Sequence, residues 1–227
     1  VKKYGQKAEA LKKAINDNFW VEEDGYYASY LYGRQNLTRT QQSETLGESF
    51  CVLFGIADEE RAARVISSMH VGEFGPPILS PQIVDQGDYH NNGVWPYVTS
   101  FWGKAAANVK NETAVLHALA CNVRTASLYA TNYENYSFNT GNPYTTLMNS
   151  PNMLWGLSGF MGLFHRTFFG IELTQEGLSF KPFVPTVLAG KRTLEAFPYR
   201  NMLLDITVSG SGHEIESCLV DGQPAEA

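Results

Sequence analysis

Apolar residues recur at every third or fourth position through the first two thirds of the chain, then at every second position in the last quarter. Ala8, Leu11, Ile15 and Phe19 predict a first helix that stops near Trp20, before the turn pair Asp24-Gly25. Leu46, Phe50 and Leu53 predict a second helix after Ser43, which is placed to cap it. Gly55 and Asp58 end that helix. Asp58-Glu59-Glu60 opens a third, since carboxylates suit the positive end of a helix, with Ala62, Ile66 and Met69 facing inward. Pro76, Pro77 and Pro81 forbid a continuous helix over residues 71–93. Pro96 suits the first turn of a fourth helix running through Trp102 and Ala107. Val115, Leu119, Val123, Ala126 and Ala130 mark a fifth helix. Residues 153–168 form a sixth, apolar almost all round and so expected among other helices.

After Gly170 the period changes. Leu204, Ile206 and Val208 alternate with Asp205, Thr207 and Ser209, the pattern of a half-buried strand. Residues 193–197 and 215–220 read similarly, and Gly190, Asn201 and Gly210 to Gly212 separate them. Asp221-Gly222 is a hairpin signal with no full strand after it, which reads as a truncated β-unit. Helices first and strands afterwards predict an α-rich domain and a separate β-rich one. Two long loops, 71–93 and 135–151, stand out, because loops of that length in a compact domain are usually functional.

Composition narrows the function. Hydrophobic residues make up 44%, which excludes disorder, and the net charge of −6 without any basic run excludes a nucleic-acid surface. No stretch approaches the roughly 20 apolar residues of a membrane span, so no membrane partner is expected. Cys51, Cys121 and Cys218 lie far apart, without metal-ligand spacing, and the first two fall in apolar helical stretches as free thiols. Aromatic residues reach 13%, which fits either a large core or a sugar site, where sugar C–H faces pack on rings.

Two stretches carry chemistry. In Asp88-Tyr89-His90-Asn91-Asn92-Gly93-Val94-Trp95-Pro96, amide and imidazole groups could hold sugar hydroxyls over an indole; equally, His90 and Asn91 could cap the next helix with Trp95 in the core. In the segment from Tyr133 to Pro143, Glu134 is expected at the end of the fifth helix, opening an aromatic loop. A helix end disfavours a carboxylate, so Glu134 is either compensated by a role or simply exposed.

Together these pieces resemble the (α/α)6-toroid, or six-hairpin, glycosidases: glycoside hydrolase family 63, the mannosylglycerate-hydrolase-like proteins and the amylo-α-1,6-glucosidase domains of glycogen-debranching enzymes. The matching residues are Ser43-Glu44-Thr45-Leu46-Gly47, Tyr89 through Pro96, Glu134-Asn135-Tyr136 with Thr140-Gly141, Leu154-Trp155-Gly156, and Gly177 through Pro182 followed by Pro185. The resemblance implies a mainly α fold, with residues 1–170 as the C-terminal half of a toroid and 171–227 as a small antiparallel β-unit. It implies a glycosidase that acts on α-linked glucosides by inversion. Glu134 matches the base that activates water; Tyr89, His90, Asn91, Trp95, Trp155 and Glu44 would shape the sugar pocket. The matching acid is an Asp on a hairpin that should precede residue 1, so the missing N-terminal half joins an oligosaccharide or polysaccharide as an expected partner. No metal or organic cofactor is expected, because acid–base hydrolysis needs only carboxyl groups and water. A glycoside phosphorylase and a non-catalytic carbohydrate-binding protein are the rivals. The first is disfavoured because neither long loop contains Lys or Arg for phosphate.

Overall fold

The helices form where the apolar periodicity places them, and their ends follow from local chemistry. In the computed structural model, which describes residues 2–226, they are α1 (Lys2–Asn18), α2 (Thr45–Leu53), α3 (Glu59–Ser68), α4 (Pro96–Asn108), α5 (Glu112–Tyr129) and α6 (Leu154–Gly162). Asp58 caps α3 by accepting from the Arg61 N–H, and Asn111 caps α5 by accepting from the Ala114 N–H. Pro96 stands at the start of α4, where its missing N–H costs nothing. Glu44, not Ser43, caps α2: Ser43 has been drawn into a strand.

The expectation of a mainly α half toroid with an appended β-unit is not met. Fourteen strands accompany the helices among the described residues, in seven two-stranded antiparallel sheets. Helix accounts for 38% of residues and strand for 22%, so the architecture is mixed. The physical reason lies in the segments read as loops. Their backbone groups pair with one another in short antiparallel ladders: β1 (Trp20–Val21) with β2 (Tyr26–Tyr27), β3 (Leu31–Tyr32) with β4 (Thr38–Arg39), β5 (Ser43–Glu44) with β6 (Leu79–Ser80), and β7 (Gly93–Val94) with β8 (Tyr136–Ser137).

The chain divides into two compact units, Val1–Phe160 and Met161–Ala227. In the first, α2 packs on α4 and α4 on α5. Trp102, Ala105 and Ala106 of α4 are buried, as are Val115, Ala118 and Leu119 of α5; the alanines allow close helix approach. Cys51 and Cys121 are buried free thiols. By contrast α1 has no buried residue, and Leu11, expected inside, is exposed. Leu154 of α6 is 78% exposed, so the sixth helix is not covered all round. It also ends early, passing into a π-helical turn over Leu163–Phe168.

The second unit contains β9 (Ile171–Leu173) paired with β10 (Leu178–Phe180), the long hairpin β11 (Gly190–Tyr199) and β12 (Met202–Gly210), and the short pair β13 (Leu219–Val220) and β14 (Gln223–Pro224) around Asp221-Gly222. Along β12, Leu204, Ile206 and Val208 are half-buried while Asp205, Thr207 and Ser209 are exposed, as period two requires. A bulge between Leu194 and Phe197 interrupts β11, where the Ala196 N–H donates to Asp205 Oδ1 at 2.9 Å.

One buried acid makes stability depend on pH. Glu48 of α2 is 2% exposed; its Oε1 accepts from the Tyr27 N–H at 2.6 Å, and its Oε2 has no hydrogen-bond partner among the described residues. Burial pushes this carboxyl up to about 8, reinforced by the charge of Glu44 and opposed by the Tyr27 amide. Tyr27 and Cys51, which also face it, are themselves pushed up by burial and add no positive charge. The folded state therefore holds this proton more tightly than the unfolded chain does. The stabilisation is complete below the ordinary carboxyl value near 4.5 and is lost as pH rises towards 8. Unfolding free energies from urea titrations across pH 4 to 9 should fall more steeply for the wild type than for Glu48→Gln, with a difference on the order of a few kcal/mol by pH 8. Parallel curves for the two proteins would contradict this.

Candidate functional site

Three stretches far apart in sequence are stitched together by backbone hydrogen bonds. In the β5–β6 ladder Glu44 lies opposite Leu79, and the Thr45 N–H donates to Ile78 O at 2.9 Å. The Ile78 N–H donates to Gly93 O at 2.9 Å, which joins that ladder to β7. Opposite β7, β8 sets Tyr136 against Val94, and the Phe138 N–H donates to Asn92 O at 2.8 Å. Residues 43–47, 89–96 and 134–138 thus form one region of the first unit. Beneath it lies a core of Ile78, Trp95 and Val98, with Leu46, Leu79, Tyr89, Tyr97 and Trp155 packed on it.

Trp95, left open between sugar platform and core, is in the core at 5% exposure. Its Nε1–H donates to Tyr89 O at 3.0 Å; the His90 ring stacks on it at 5.2 Å, and Trp155 meets it edge-on at 5.1 Å. Trp155 leans on Tyr97 at 4.9 Å and remains half-buried, as does Tyr89, while His90 is exposed. The open ring surface at the site therefore belongs to Tyr89, His90 and Trp155.

Asn91 is buried and its amide is fully engaged. Its Oδ1 accepts from the Ile83 N–H at 2.7 Å, and its Nδ2 donates to Ile83 O at 3.1 Å and Gln86 O at 3.0 Å. Those three bonds use both donors of the amide and hold the 83–91 loop, which gives this buried side chain a structural task. Asp88 is engaged too, accepting from Asn92 Nδ2 at 2.7 Å.

Glu134 does not lie at the end of a helix. Ala130 takes a left-handed backbone and closes α5 at Tyr129, so Glu134 sits on the following loop, outside the last turn of the helix. Its N–H donates to Ser150 O at 3.0 Å. The Tyr89 hydroxyl donates to Glu134 Oε1 at 3.2 Å. Desolvation and the Glu134 charge together push the Tyr89 phenol above its ordinary value, so it remains a donor to the carboxylate at every physiological pH.

Glu44 lies across the same region. Both its oxygens are used at the start of α2, Oε1 accepting from the Leu46 N–H at 3.1 Å and Oε2 from the Gly47 N–H at 2.6 Å. Burial raises its carboxyl above the usual range, against the pull of those amides and of the His90 ring nearby. Glu44, His90, Tyr89, Trp155 and Glu134 are thus gathered in one place; Trp95 and Asn91 support them from beneath. The aromatic loop expected beside Glu134 gathers with Tyr129 of α5, which the sequence reading did not single out, into a cluster of tyrosines. Tyr129, Tyr133 and Tyr136, at spacings of four and three, gather with Tyr144 at ring separations of 5.7 to 6.2 Å. Their spacing was the available signal. No group of three or more His, Cys, Asp or Glu suited to a metal occurs among the described residues.

No protein-family model matches the chain, and no curated protein matches it either.

Two substitutions test the construction. Trp95→Ala should destabilise the protein by about 3–5 kcal/mol, as loss of a buried aromatic does, measured by urea unfolding. A change below about 1 kcal/mol would return Trp95 to the surface. Gly93 admits no side chain, because a Cβ there would stand 1.8 Å from Tyr89 O, the acceptor of the Trp95 indole. Gly93→Ala should therefore break that hydrogen bond and shift the tryptophan fluorescence maximum. An unshifted spectrum with unchanged melting would show that the close approach is not needed.

Proposed function

We propose that the protein hydrolyses glycosidic bonds in α-linked glucosides, with Glu134 as the base that deprotonates water. What supports this reading most is the setting of Glu134: a loop carboxylate held by the Tyr89 hydroxyl at 3.2 Å, beside the part-exposed rings of Tyr89, His90 and Trp155. A fixed carboxylate can take a proton from water, and the rings can pack against the C–H faces of a sugar while His90 meets its hydroxyls. The resemblance to six-hairpin glycosidases supports the same role for Glu134. Replacement of water by phosphate as the acceptor is disfavoured, because residues 71–93 and 135–151 contain no Lys or Arg to bind it.

Hydrolysis of this kind also needs a proton donor for the leaving oxygen. Glu44 engages both oxygens on the α2 amides and Asp88 engages Asn92, so we assign the donor to neither. The same observation favours a second reading, a region that holds a saccharide without cleaving it.

The test replaces Glu134 by Gln, which keeps the size and the bond from Tyr89 but removes basicity. Glucose release from maltose or an aryl α-glucoside should fall roughly 10²–10⁴-fold, the usual scale for a positioned general base, with melting temperature unchanged. Undiminished turnover would remove Glu134 from the chemistry. Saccharide binding by the wild type with no turnover would select the second reading.

A further inference from the structure

The loop over residues 135–151 contains no Lys, Arg, Asp or Glu, although its stretch 144–148 is largely exposed. It is nevertheless firmly built. Asn149 Nδ2 donates to Asn135 O at 2.7 Å and Pro143 O at 2.8 Å; Asn135 Nδ2 donates to Met148 O at 3.0 Å, and the Tyr144 N–H to Asn142 Oδ1 at 2.8 Å. This frame presents Tyr144 at 71% and Leu147 at 74% exposure. With Met148 at 64% they bring three exposed apolar side chains into one short stretch, the kind of local clustering that a binding surface needs.

The exposed phenol is not free to swing. The Tyr133 hydroxyl donates to the Tyr144 hydroxyl at 3.1 Å, and their rings meet edge-on at 5.7 Å, with Tyr129 against Tyr144 at 6.0 Å. A ring already held in place loses little entropy when a ligand covers it. Tyr133 is the residue next to Glu134, and the Leu147 N–H donates to Asp88 O at 2.9 Å, so the platform continues directly from the proposed cleavage site.

We infer that Tyr144, held by Tyr133, is a second sugar subsite, binding a neutral hexose unit of the substrate beyond those at the cleaved bond. This inference rests on the glycosidase reading and deepens it. An exposed ring stacks on the apolar C–H face of a pyranose, paired phenol hydroxyls match its hydroxyl groups, and an uncharged loop suits a ligand without charge. A neutral oligosaccharide or polysaccharide is accordingly preferred to a small glycoside.

Titration calorimetry with maltose and maltotetraose, using the Glu134→Gln variant to prevent turnover, tests this. Maltotetraose should bind about tenfold more tightly than maltose. The advantage should disappear in Glu134→Gln/Tyr144→Ala and persist with Tyr144→Trp in the same background. Tyr144 is exposed, so neither change threatens folding. Equal affinity for the two saccharides, or a length advantage that survives Tyr144→Ala, overturns the subsite while leaving cleavage at Glu134 intact. If wild-type protein neither binds nor cleaves any of these saccharides, the glycosidase reading fails and the subsite with it.

Discussion

The arrangement of the first unit depends on the backbone of one residue. Ile78 accepts from the Thr45 N–H and donates to Gly93 O, while its side chain lies in the core beside Trp95 and Val98. One peptide thereby ties the entry of α2 to the entry of α4. Pro76 and Pro77 just before it have no N–H to leave unsatisfied, and both are fully buried, which explains how a non-helical segment can run through the interior. From that junction everything else follows in order: Glu44 faces His90, β7 receives β8, and Glu134 comes within reach of the Tyr89 hydroxyl.

Rigidity in this region comes from amides rather than from ion pairs. The salt bridges Lys13–Asp17, Arg64–Glu22, Arg124–Glu73 and Lys181–Glu172 each involve substantially exposed groups, whose contribution is small. The Asn91 and Asn149 side chains each make several hydrogen bonds to backbone groups of irregular loops, and Asn135 Nδ2 adds one to Met148 O. A side-chain amide carries both donors and an acceptor, so it can satisfy a turn that no regular ladder reaches.

Helix existence was legible in the sequence because it rests on long, repeated patterns. Val115 and Leu119 of α5 and the period-two residues of β12 stand where they were expected, whereas Val123 is exposed and Ala130 closes α5. The two-residue strands were not legible, since a single pair of residues has no period to detect; hence the error over the mainly α fold. Capping residues were only partly readable. Asp58 and Asn111 cap as their types suggest, but Ser43 was overruled by a ladder bond to residue 80, and the longer Glu44 reached the amides in its place. Within the site, the residue types of the 88–96 stretch were recognisable; whether each side chain would face a ligand or its own loop was not. Asn91 and Trp95 turned inward because their partners, Ile83 and Tyr89, are set by the path of the loop and not by any local pattern.

The Asn149 amide nitrogen points at the carbonyls of Asn135 and Pro143. An oxygen in that place would set acceptor against acceptor, so two bonds of the loop depend on the identity of a single atom. Slow hydrolysis of this amide, which takes up water, releases ammonium and leaves a carboxylate of nearly the same size, would turn an attraction into a repulsion and loosen the 135–151 frame from within. For this protein, shelf life and fold stability are therefore separate properties: a preparation could remain folded by every global measure while its exposed tyrosine drifted out of position.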